Sequence, residues 1–109
     1  MSSLSALHEH VDFLYNIGTS TKSQFQHLLS SASDEQVTLL VECIANVHQF
    51  LPELPKRQVQ QAESIVYTFL KSNDRRQLMQ HWKYIRSIVA RILTVVYKTE
   101  IWRVLLHHG

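Results

Sequence analysis

The sequence is poor in the residues that turn a chain. Its 109 residues hold two glycines, Gly18 and Gly109, and two prolines, Pro52 and Pro55. β-Sandwiches and barrels reverse direction often and place glycine and proline at those turns, so the scarcity argues against them and for helices. Cysteine is nearly absent too. With Cys43 alone, no intrachain disulfide and no cysteine-based zinc site can form, which suits a reducing compartment. No glycine-rich phosphate loop and no nucleophile elbow occurs, and an enzyme is not expected. No basic segment followed by an apolar core opens the sequence, so no secretory signal is expected. The most apolar stretch, residues 85–106, contains Arg86, Arg91, Lys98, Glu100 and Arg103. Charge at that density is costly in a bilayer, so no membrane span is expected.

What is present has helical grammar. The chain is 45% hydrophobic and 18% charged, a balance that folds rather than staying disordered, and its length suits one domain. Leu4, Leu7, Val11 and Leu14 recur at three- and four-residue steps, predicting a helix over residues 3–17 closed by a left-handed Gly18. Thr21 and Gln24 have capping-box spacing before a helix over 22–31 that buries Phe25, Leu28 and Leu29. Ser33 and Gln36 repeat the signal, and Asp34 and Glu35 suit the positive end of the helix dipole. The stripe Val37, Leu40, Val41, Ile44, Val47 and Leu51 then runs to Pro52. A fourth helix over 56–70 has Val59, Ala62, Ile65, Val66, Phe69 and Leu70 as its inner face. Asp74 and Gln77 have capping-box spacing ahead of a long fifth helix from Arg75 past Tyr97. Its stripe is Leu78, Trp82, Ile85, Val89, Ile92, Leu93 and Val96, and the β-branched run 94–96 predicts a break near Lys98. The expected fold is all-α, a compact bundle of five to six helices in a single domain.

Charge is divided unevenly. Residues 1–54 carry one base, Lys22, against six acids, a net −5. Residues 55–109 carry ten bases against Glu63, Asp74 and Glu100, a net +7. The total of +2 hides this dipole. A basic surface attracts an anion: nucleic-acid phosphate, an acidic protein or an anionic membrane. The opposite reading is that the two halves neutralise each other within the fold or between copies. The candidate nucleic-acid contacts are Lys56, Arg57, Lys71, Arg75, Arg76, Lys83 and Arg86. Trp82 and Tyr84 are interleaved with them, Trp82 as a core residue and Tyr84 either stacking on a base or resting on the surface.

Other candidates are weaker. Seven histidines occur, but His8 and His10 point to different helix faces, His27, His48 and His81 stand alone on separate helices, and His107 and His108 lie at the end. No metal-ligand spacing is found, so neither a metal nor a cofactor is expected. Cys43 lies beside an apolar stripe and reads as a buried thiol rather than a nucleophile. The segment containing Ile101, Trp102, Leu105 and Leu106 leaves little polar face, which makes it a candidate protein interface or self-association surface.

The string from Phe25 to Gln36 carries a Leu28-Leu29 pair, an Ala32-Ser33 cap and Glu35-Gln36 two residues on. It resembles a motif in small proteins of adintoviruses and related polinton-like double-stranded DNA elements. The likeness continues through Leu40, Glu42, Cys43-Ile44, Asn46-Val47, Leu54-Pro55 and Gln58, and the family's basic run is similar to residues 65–76. The resemblance covers roughly residues 25–76. It implies a viral accessory or virion-associated protein with a basic second half, and it carries no catalytic residue. The chain departs from the pattern in lacking a long lysine-rich run and a Gly-Gly-apolar tail, which speaks against a purely DNA-condensing role. The functional expectation is therefore a non-enzymatic binding protein contacting nucleic acid through its basic half. The alternative is a protein-interaction module or homo-oligomer using the apolar C-terminal helix. Neither a membrane nor a small-molecule substrate is expected, and the setting is intracellular, in cytoplasm or nucleus, or in a virion.

Overall fold

Both strong capping boxes form. Thr21 Oγ1 accepts the Gln24 N–H at 3.2 Å while Gln24 Oε1 accepts the Thr21 N–H at 2.9 Å. Ser33 and Gln36 repeat the reciprocal pair at 3.1 and 2.9 Å. Each box satisfies amide donors that a helix start leaves without partners. The computed structural model describes the backbone of residues 9–108 and the side chains of residues 9–98. Seven helices occur among them: α1 (Val11–Gly18), α2 (Lys22–Ser31), α3 (Asp34–Ala45), α4 (Val47–Phe50), α5 (Lys56–Ser72), α6 (Arg76–Met79) and α7 (Trp82–His108). No strand occurs among the described residues, and the fold is all-α. No described helix is long and apolar enough to cross a membrane.

The structure departs from the expected elements where local chemistry intervenes. The stripe from Val37 to Leu51 is one pattern but two helices. Asn46 ends α3, its Nδ2 and its N–H both donating to the Glu42 carbonyl. Asn73 closes α5 in the left-handed region at φ 51°, with its N–H bonded to Phe69 O, a conformation that asparagine tolerates better than most residues. Asp74 does not cap with Gln77. Its carboxylate accepts from the Arg76 N–H and guanidinium instead. The expected fifth helix is interrupted at residues 80–81, where His81 N–H reaches back only three residues to Leu78 O. Beyond Trp82 the helix is continuous to His108, so the break expected near Lys98 is absent. Val96 is buried and the Thr94 hydroxyl donates to the Ala90 carbonyl, so core packing and a local bond hold the β-branched run in the helix.

Gly18 serves a purpose other than the one expected. It is the last residue of α1 with ordinary helical φ, and the chain turns at Thr19 instead. A Cβ on Gly18 would lie 3.3 Å from both Cα and N of Ala90. The glycine lets the end of α1 lie against the backbone of α7. Leu4 and Leu7 of the first stripe lie outside the described residues.

One core joins these elements. α7 packs against α1, α2, α3, α4 and α6, and α5 packs against α3, α4 and α6. Leu14, Ile17, Phe25, Leu29, Leu40, Ile44, Leu78, Ile85, Ile88 and Ile92 are its most completely buried large side chains. Burial of each such side chain is worth about 1.5–3 kcal/mol relative to exposure, and this term, not helix propensity, holds the bundle together. Leu70, expected inside, is 67% exposed beside the equally exposed Tyr67.

Candidate nucleic-acid interface

The seven candidate cations do not form one surface. Lys56 and Arg57 open α5 and Lys71 lies near its end. Fifteen residues at 1.5 Å each separate Lys56 from Lys71 by about 22 Å along the axis.

Arg75 is turned inward. Its Nη1 donates to the carbonyls of Leu29 and Ala32, and its Nη2 reaches Asp34 Oδ1 at 2.8 Å. Those carbonyls belong to the C-terminal end of α2, where helix geometry leaves acceptors unpaired. Arg75 thus straps the α2–α3 corner to the start of α6. Arg76 pairs with Asp74, its nearest acid in sequence, through Nε and Nη2 at 2.9–3.2 Å. That bonding holds the Asp74 carboxyl below its ordinary range and raises the Arg76 guanidinium above its own. Both arginines already have partners within the molecule.

Lys83 and Arg86 differ. At 100° per residue, Lys83, Arg86, Ser87, Arg91, Thr94 and Lys98 fall within about 140° of arc on α7. All six are exposed. The buried Ile85, Ile88, Val89, Ile92, Leu93 and Val96 occupy the other side. No Asp or Glu occurs between Asp74 and Glu100. None of Lys83, Arg86, Arg91 and Lys98 makes an ion pair among the described residues. The face therefore shows four positive charges along about 22 Å of helix. Arg91 and Lys98 lie outside the seven sequence candidates. Arg91 falls inside the helix expected from Arg75 past Tyr97, so its spacing is legible in the sequence, whereas Lys98 sits at the expected break and joins the face because the helix runs on to His108.

The stripe has a floor. Gly18, Lys83, Arg86, Ser87, Ala90 and Arg91 line a groove of about 300 Å³ where α1 abuts α7. The close approach at Gly18 and Ala90 gives the base of this groove, and the cations give its rim. Arg86 also lies over the Trp82 ring at 6.0 Å, the outer limit of a cation–π contact. Trp82 is half-buried, with its Nε1 enclosed and lacking a hydrogen-bond partner among the described residues. Tyr84 is not a stacking platform: it is half-buried, and its hydroxyl donates to the Gln58 carbonyl, tying α7 to α5. Burial raises its phenol above the ordinary value, and the nearby Arg91 charge partly opposes this. Tyr97, 46% exposed, is the aromatic side chain that the face does offer.

A larger open groove of about 640 Å³ lies between α1 and α2, lined by Asn16, Thr19, Ser23, Gln24, His27 and Leu28. It has no carboxylate, lysine or arginine, and Gln24 is engaged in the α2 cap. It lacks the charge that would select an anion. Cys43 is buried, with its thiol pushed up to about 12 by burial and, secondarily, by Glu42, so it is neither accessible nor ionised as a nucleophile must be. The side chains of Ile101, Trp102, Leu105 and Leu106, the candidate protein interface, lie outside the described residues.

The fold and site together define a class: an all-α bundle whose longest helix buries one face and carries an acid-free cationic stripe on the other. No family model, curated protein or solved structure matches the chain.

Proposed function

We propose that this chain is a non-enzymatic nucleic-acid-binding protein that holds backbone phosphate along the outer face of α7. The observation that carries the reading is the row of Lys83, Arg86, Arg91 and Lys98 on one exposed face with no acid between them in sequence and no ion pair among the described residues. Ser87 supplies a hydroxyl between the charges. Duplex DNA advances 3.4 Å per base pair, so the stripe matches about six base pairs of backbone. Contacts of this kind fix affinity and orientation without reading sequence, and the face has no Asn or Gln with which to read base edges. The resemblance over residues 25–76 supports the same reading, that of an accessory or virion-associated protein of a double-stranded DNA element. Its basic run ends at Arg76, however, short of the displayed charges.

Fluorescence anisotropy with a labelled random-sequence duplex tests this. Four phosphate contacts predict a dissociation constant that rises about 100-fold between 50 and 200 mM salt. In the combined Lys83→Ala, Arg86→Ala, Arg91→Ala variant the rise should shrink to about 4-fold. Wild-type binding that is indifferent to salt, or equal in the variant, would overturn the proposal. Capture of an acidic protein without DNA affinity would do so in favour of a protein partner.

A further inference from the structure

A second constellation lies away from the basic stripe. Glu9 and His10 stand at the entry to α1, and Glu35 is in the first turn of α3, twenty-five residues beyond His10. Sequence spacing gives no reason to join them. The fold brings one ligand atom of each within 4.8 Å of the others. His10 Nε2 and Glu35 Oε1 are already 3.3 Å apart, and the His10 side chain is only 17% exposed, so packing restrains the ring. In a tetrahedral site with metal–ligand bonds of about 2.0–2.1 Å, neighbouring ligand atoms lie about 3.4 Å apart. The His10–Glu35 pair meets that spacing as it stands. The Glu9 and Glu35 side chains are exposed and can rotate the remaining distance without disturbing the core.

We propose that Glu9, His10 and Glu35 form a divalent transition-metal site, with Zn²⁺ as the fitting ion. The imidazole sets the preference. A site of oxygen ligands alone would suit Mg²⁺ or Ca²⁺, whereas nitrogen with two carboxylates suits Zn²⁺. Three protein ligands leave the fourth position to water. The two carboxylates balance the charge of the ion when the histidine is neutral. Bound metal would clip the start of α1 to α3, and because the unfolded chain holds no such site, binding adds to stability.

Isothermal titration of the full chain with ZnCl₂, paired with thermal unfolding with and without a chelator, tests the site. The expected result is one Zn²⁺ per chain at this site and an unfolding midpoint raised by several degrees. Mg²⁺ and Ca²⁺ at the same concentration should give no shift. Glu35→Gln, an exposed change that leaves the fold intact, and His10→Ala should each weaken binding at least 10-fold. His107→Ala with His108→Ala serves as the control for adventitious uptake at the terminal histidines and should leave the midpoint shift in place. The proposal is overturned by the absence of Zn²⁺ uptake, by uptake equal in wild type and Glu35→Gln, or by a shift lost only with the terminal pair.

Discussion

Two cationic stretches follow each other in this chain and meet opposite fates. Lys71, Arg75 and Arg76 lie within six residues, the densest positive charge in the sequence, yet Arg75 is turned inward onto α2 and the exposed Arg76 is paired with Asp74. Lys83, Arg86, Arg91 and Lys98 are spread over sixteen residues and form an exposed row on one side of α7. Density along the chain is thus a poor guide to a binding surface. The decisive factors are the regularity of the backbone and the positions of the acids. Around residues 73–81 the chain turns twice, and Asp34 and Asp74 lie within reach. From Trp82 onward a continuous helix sorts every residue to one side or the other, and no acid intervenes before Glu100.

This contrast can be broken at several points. The largest effect on stability should come from the buried side of α7. Ile85→Ala removes a fully buried side chain and should cost about 2–5 kcal/mol in denaturant unfolding. DNA affinity of the remaining folded protein should be unchanged, because the displayed face is untouched. Arg75→Ala should cost about 1.5–3 kcal/mol, chiefly from the two α2 carbonyls it leaves unpaired. Its exposed partner Asp34 contributes little to that cost, so Asp34→Asn should fall near zero. Gly18→Val should destabilise by about 1–3 kcal/mol by forcing α1 off the α7 backbone. It should also widen the groove between Arg86 and Arg91. Ser33→Ala, at the corner between the Ala32 and Asp34 partners of Arg75, should cost about 1 kcal/mol through the lost cap.

Cys43 provides a check on the core that is independent of either stretch. Its thiol titrates at an ordinary value of 9.0 when unfolded and is pushed up to about 12 in the fold. Between those values the unfolded chain releases a proton that the folded chain retains. Stability contributed by this residue is therefore intact below about pH 9 and falls as pH rises toward 12. Cys43→Ala should flatten that part of a stability-versus-pH curve, and native protein should label slowly with a thiol reagent until it is unfolded.

Much of the scaffold was legible in the sequence because its signals are local. Thr21 with Gln24 and Ser33 with Gln36 need only three-residue spacing, and they mark the starts of α2 and α3 correctly. Stripe periodicity picks out Ile44, Ile65, Ile85 and Ile92 as core because burial follows the helical repeat. The breaks were less legible. Leu78 and Ile85 are seven residues apart, in phase for one helix, so periodicity alone passes over the turn at 80–81. Leu70 is apolar and in register yet exposed, because none of the described residues covers that position on α5. The inward turn of Arg75 and the pairing of His10 with Glu35 depended on contacts distant in sequence. Nothing near Arg75 announces the α2 carbonyls more than forty residues earlier. Likewise, nothing near His10 announces Glu35.

In the proposed binding mode, charge on α7 meets the ligand and charge in the 71–76 stretch does not. Affinities for one DNA duplex at one salt concentration, compared between Arg75→Ala/Arg76→Ala and Arg86→Ala/Arg91→Ala, test it most directly. The expected result is at least a 10-fold loss for the α7 pair and near wild-type affinity for whatever fraction of the 75/76 pair is folded. The reverse ranking, or equal losses, would contradict it.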